Sequence, residues 1–129
     1  MEPKPGKPIV VRYQDVKPFI APSEDHRLLK TMLSPQRDGS APGVAFGIVE
    51  MPPGFSAPPH SHEIEQEAWF FYQGKGQIEV GDEIVDVEPG TVVASPTHTP
   101  HRLINPGPGT LKALFVFTPA GPETALIVE

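Results

Sequence analysis

The sequence has no cysteine, which excludes thiolate nucleophiles, disulfides and cysteine-ligated zinc and leaves the redox compartment unmarked. Positive charge is scarce: 10 lysines and arginines stand against 16 acidic residues, for a formal net charge of -6. A general nucleic-acid or anionic-membrane surface needs a basic patch, so neither partner is expected. Long apolar runs are also missing. Stretches such as Ala113 to Phe117 fall far short of the roughly 20 residues that a spanning helix requires. The opening MEPKPGKPIVV carries no apolar targeting core, and a cytoplasmic location is the default expectation. No internal repeat is visible, which argues against a duplicated two-barrel arrangement.

What is present points to one globular domain. The 129 residues are 38% apolar and 20% charged, enough to bury a single core. The expected boundaries are a loose N-terminal arm over residues 1–8 and one domain over 9–129. The 18 prolines and 12 glycines cut the chain into short pieces, because proline removes a ladder donor and is kept out of central strands. Between the breaks lie Val44 to Met51, Glu67 to Gln73, Gln77 to Val80, Glu83 to Val87, Thr91 to Ser95, His101 to Asn105 and Thr110 to Thr118, mostly rich in branched or aromatic residues. Short strands between frequent turn signals predict an all-β sandwich or barrel. Val80-Gly81-Asp82-Glu83 reads as a tight hairpin and Gly74-Lys75-Gly76 as another tight connection. Only Glu24 to Leu33 offers a helical period.

Alternation along Glu67 to Gln73 puts Glu67, Trp69 and Phe71 on one face and Ala68, Phe70 and Tyr72 on the other. Both faces are apolar. One should face the barrel interior, and the other should be covered by an N-terminal strand such as Ile9 to Tyr13 or by a second subunit, unless both belong to a sandwich core that needs no partner; a homodimer is the expectation carried forward.

PPHSHEIEQEAWFFYQGKG, residues 58–76, places His60 and His62 on alternate positions. On an extended strand their imidazoles point to one side, roughly 6.5 to 7 Å apart at the backbone, a span that suits two ligands of one metal. A reversal over Glu63 to Gln66 could return the Glu67 carboxylate to that side. Imidazole with carboxylate suits a divalent first-row ion: Fe, Mn, Ni, Cu or Zn. Taken alone, the pattern also fits a solvated polar edge.

The wider pattern is longer. Gly54 and Gly74 frame the first histidines in G-x5-H-x-H-x4-E-x6-G, and Gly90, Pro96, His101 and Asn105 form G-x5-P-x4-H-x3-N. Together they resemble the two sequence motifs of the cupin family, small double-stranded β-helix barrels of jelly-roll type. The first motif matches at every fixed position. In the second, His98 stands where the family pattern has glycine. The resemblance spans residues 54–105 and implies that one metal ion is held by His60, His62, Glu67 and His101. Asn105 reads as a strand-end turn residue. His98 has two readings, an acid, base or substrate clamp near the metal, or a solvent-facing loop residue with the backbone shape of the family glycine. His26, far from both motifs, reads as a surface residue.

Strand parity sets Trp69, Phe71 and Leu103 nearest the ligands, with Phe46, Met51 and Phe115 as further candidates, and describes an apolar pocket for a small-molecule ligand. Arg102 has the wrong parity to reach inward, so sugar phosphates and oxalate are disfavoured. Because cupins span many chemistries, the resemblance implies three alternatives. They are a mononuclear dioxygenase-type oxidoreductase acting on a small apolar or aromatic substrate, a redox-silent isomerase or lyase in which His98 or Tyr72 moves a proton, and a metal-dependent binding module without catalysis.

Overall fold

The computed structural model describes residues 5–38 and 43–128. Ten strands follow in chain order: β1 (Phe19–Ile20), β2 (Leu28–Leu33), β3 (Ala45–Met51), β4 (Phe55–Ser56), β5 (Gln66–Gln73), β6 (Gly76–Val80), β7 (Glu83–Val87), β8 (Val92–Ser95), β9 (His101–Asn105) and β10 (Leu111–Thr118). They form a six-stranded sheet in the order β1-β2-β3-β10-β5-β8 and a four-stranded sheet in the order β4-β9-β6-β7. Every pairing is antiparallel, and the two sheets enclose one core as a jelly-roll barrel.

The strands anticipated from proline and glycine spacing form where the spacing puts them. Strict alternation shows in β3 and β10, whose buried and half-buried residues take turns along the chain. The inward residues build the core. Phe71, Phe115, Met51 and Ile78 are fully buried, each contributing about 1.5 to 3 kcal/mol of apolar burial. Val80 pairs with Glu83 across a two-residue turn, the hairpin expected from Gly81-Asp82. Gly74 carries the chain from one sheet to the other. Its φ is +82° and an added Cβ would lie 2.4 Å from the Thr110 carbonyl oxygen, so both conformation and space demand glycine there.

Two expectations need correction. The segment from Glu24 to Leu33 is not helical: Leu28 to Leu33 is a strand paired to β3, with a register shift between Thr31 and Leu33. Long-range pairing overrides a weak local period. Ile9 to Tyr13 is not a strand either. Ile9 and Val11 border a crevice with Met32, Phe46, Ile48 and Leu114, covering the outer face of β2, β3 and β10 rather than that of β5. Tyr13 anchors this segment by donating its hydroxyl to Glu50, with the Lys30 ammonium over its ring. On β5, therefore, Phe70 and Tyr72 remain 42% and 41% exposed. Of the arm foreseen over residues 1–8, residues 1–4 lie outside the described residues, and Pro5 to Pro8 are exposed.

After β10 comes a 3-10 helix, Pro122–Leu126, set against β2 by a buried carboxylate. Glu123 accepts from the Ser34 hydroxyl at 2.6 Å and from the Gly121 amide. This contact brings Pro122 and Leu126 to the mouth of the barrel. Among the described residues, no helix is long and apolar enough to cross a membrane.

Candidate metal centre

Three elements converge at one end of the barrel. β9 supplies His101, β5 supplies Glu67, and the segment before β5 supplies His60 and His62. His60 and His101 exchange both backbone hydrogen bonds, at 3.1 and 2.9 Å, so the PHSH segment runs as an added edge beside β9. Residues 63–65 then reverse the chain and return Glu67 to the same side. One ligand atom from each of His60, His62, Glu67 and His101 lies within 4.8 Å of the others.

The Nε2 atoms face Glu67 Oε1 at 3.0 Å from His101, 3.3 Å from His62 and 3.9 Å from His60. Hydrogen bonds at the far side of the rings set the tautomers. His101 Nδ1 lies 3.2 Å from the Thr99 carbonyl oxygen and 3.0 Å from Ser95 Oγ. A carbonyl only accepts, so Nδ1 carries the proton and the Nε2 lone pair is free. His60 Nδ1 faces the Pro58 carbonyl in the same sense at 3.4 Å. Two acceptor nitrogens, His60 Nε2 and His101 Nε2, are then 3.1 Å apart beside an acceptor carboxylate. Such an arrangement repels itself unless a cation, a metal ion or a bound proton, lies among the donors.

The donor set therefore fits a first-row divalent ion. Atoms each about 2.1 Å from a common ion lie roughly 3 to 4 Å apart, and imidazole with carboxylate suits such ions. Burial raises the pKa of Glu67, but the facing imidazoles of His101, His60 and His62, which donate to it when they carry a proton at Nε2, outweigh burial and hold the carboxyl well below the usual range. Glu67 is thus an anionic ligand across the physiological range. The His101 side chain is 2% exposed and that of His60 is 41%, so the centre opens on the His60 side.

The centre borders a cavity of about 310 Å³, at the lower end of the range for small-molecule sites. Trp69, Leu103, Phe115 and Phe117 line it. Trp69 packs edge-on against His101 with ring centroids 4.9 Å apart, and Phe117 does the same to His62 at 5.2 Å. Of the pocket residues expected from parity, Trp69, Leu103 and Phe115 border the cavity. Phe71 and Met51 lie in the core beyond it, and Phe46 faces outward against the N-terminal segment.

His98 and Tyr72 are not among the lining residues. His98 is exposed, has φ +59° and donates its backbone amide to the His62 carbonyl at 2.8 Å. It takes the conformation that glycine would take and steadies the ligand segment through its main chain. Tyr72 is on the outer face of β5. His26 is exposed, with its ring edge-on to Phe55. Asn105 is fully buried, donating to the Met51 and Gly109 carbonyls and accepting from the Gly107 amide. It pins the end of β9 and does not ligate.

Sequence reasoning missed two cations at the cavity. Arg102, expected to face away, pairs with Glu79 across the strands at 3.3 Å but also borders the cavity. Arg27 lines it from the loop that joins β1 to β2. It has the parity of Leu29, which also faces inward. Alternation from a strand at Leu28 would have exposed it, but the segment read as helical.

Comparisons with known proteins agree with this geometry. The family model described as Cupin domain matches residues 47–117, more than half of the chain. An uncharacterized protein of Methanocaldococcus jannaschii is 29% identical over 125 residues, covering 95% of this chain and 97% of its own. The fold is similar to that of a predicted oxalate decarboxylase from Thermotoga maritima, with TM-score 0.76, 23% identity, and coverage of 87% of this chain and 100% of that one. It is similar also to the polyketide cyclase of Streptomyces resistomycificus, with TM-score 0.75, 21% identity, and coverage of 90% and 82%. With a jelly-roll barrel, both motifs in place and their four polar residues gathered at its mouth, the chain belongs to the cupin family.

Proposed function

We propose that the protein is a mononuclear metal-dependent oxidoreductase of dioxygenase type acting on a small, largely apolar or aromatic substrate. One observation carries the reading. The cavity beside the cluster is largely apolar, and among the described residues the titratable groups that line it besides the cluster are Arg27 and Arg102. Arginine holds its proton throughout the accessible range, so neither can shuttle one. The ion, when bound by His60, His62, Glu67 and His101, would supply the redox chemistry and open coordination positions. The chain's own residues do the rest. Trp69, Phe115 and Phe117 exclude water and hold an apolar body, and Ser95 with Thr99 fixes the His101 ring.

Redox-silent lyase or cyclase chemistry is the second reading. It is favoured by two structural neighbours whose names are a decarboxylase and a cyclase. That reading needs a proton-transfer group, and the candidates His98 and Tyr72 do not border the cavity. Oxygen uptake by metal-loaded protein, screened with small phenols and diketones, separates the two. Substrate-dependent uptake that disappears in His62→Ala supports oxidation. Turnover without oxygen consumption contradicts it.

A further inference from the structure

Arg27 is built into the cavity wall in a way that a surface cation is not. Its guanidinium Nε donates to Asp25, whose own side chain is fully buried and also accepts from the Ser23 hydroxyl. The loop holding the pair closes through the Ala21 amide and the Arg27 carbonyl at 2.9 Å. The Arg27 side chain is only 16% exposed, yet among the described residues its guanidinium has no hydrogen-bond partner besides Asp25. Four of its five N–H donors are thus without a partner among the described residues, on a side chain that borders the cavity. A guanidinium fork with unused donors matches a carboxylate in two parallel hydrogen bonds.

The charges agree. Arg27 is cancelled by Asp25 and Arg102 by Glu79, so the net charge of the loaded site is that of a divalent ion and the Glu67 carboxylate, one positive. A monoanion neutralises it. Apolar side chains, Leu29, Trp69, Phe115 and Phe117, line the same cavity, so a ligand touching both the centre and Arg27 has an apolar body between two polar ends.

Resting on the functional reading above, we propose that Arg27, positioned by Asp25, is the specificity-determining residue of the site, and that the substrate is a small monocarboxylate with an apolar body. A phosphate dianion fits less well, since it would bring two charges to a site whose net charge is one positive.

Calorimetric binding to metal-loaded protein tests this with matched probes: benzoate, phenylacetate and phenylpyruvate, each against its amide, and phenyl phosphate. The expected result is at least tenfold tighter binding of one or more carboxylates than of the matching amides. Arg27→Gln should abolish that preference, and Arg27→Lys should keep part of it, while metal content stays unchanged. If loss of Arg27 leaves Asp25 as an unpaired buried charge and the variant does not fold, Asp25→Asn with Arg27→Gln removes both charges and gives the same reading. No carboxylate preference in any pair, a preference that survives in the charge-free variant, or tighter binding of phenyl phosphate than of benzoate would overturn the proposal. These readouts are independent of turnover. Carboxylate preference without oxygen uptake would overturn dioxygenase chemistry and leave the Arg27 assignment standing, and uptake without the preference would do the reverse.

Discussion

His101 shows how single residues carry the centre. Its ring is buried, its Nδ1 proton is engaged by Thr99 and Ser95, and its Nε2 is thereby aimed at the cluster. Partners of this kind tune ligand basicity, and their loss commonly costs about 10- to 100-fold in metal affinity. Ser95→Ala should fall near the lower end, about tenfold, because the Thr99 carbonyl remains; unchanged affinity in a competition titration would count against this role. Protons compete with the ion for the imidazoles, whereas Glu67, its pKa held low, stays ionised. Metal affinity should therefore fall as pH is lowered, and equal affinity at pH 5 and pH 8 would contradict the assignment. In the metal-free protein the depressed carboxyl has its own sign. Its stabilisation is present above the unfolded value of about 4.3 and is lost only as pH falls through the lower folded value. The ligand residues were legible because the motif fixes their spacing. Arg27 was not, because its inward direction depends on a loop closed by distant pairing.

At the scale of elements, punctuation by proline and glycine made β3, β5 to β8, β9 and β10 readable, since their residues also favour strands. β1 and β4 are two residues long and exist only through their partners β2 and β9. β2, with sequence LLKTML, buries Lys30 and Thr31 in succession and bulges between Thr31 and Leu33, so it shows no alternation to read. The cross-strand pair of Gly47 and Phe115 is another feature invisible in sequence. A Cβ at Gly47 would lie 2.0 Å from Phe115 Cζ, so the ring lies directly on the glycine. Gly47→Ala should displace Phe115 from the cavity wall and cost about 1 to 3 kcal/mol, seen as a lower denaturant midpoint. An unchanged midpoint would mean that the ring has room to move.

At the scale of the molecule, the six-stranded sheet is covered unevenly on its outer side. The N-terminal segment covers one half, while Phe70, Tyr72 and Val92 remain exposed on β5 and β8. We propose that a second copy of the chain covers this strip. Sedimentation should give a dimer that Phe70→Glu with Tyr72→Lys converts to a folded monomer; a wild-type monomer at tens of micromolar would contradict this. At the mouth of the barrel, the donor geometry of His60, His62, Glu67 and His101 calls for one metal ion. The most direct test is element-resolved metal analysis of protein purified without added metal or chelator, alongside the His60→Ala, His62→Ala double variant. Near-stoichiometric first-row metal is expected in the wild type, with its loss from a variant that remains folded. Stoichiometric metal retained by the variant, or a wild type that takes up none even after reconstitution, would contradict it.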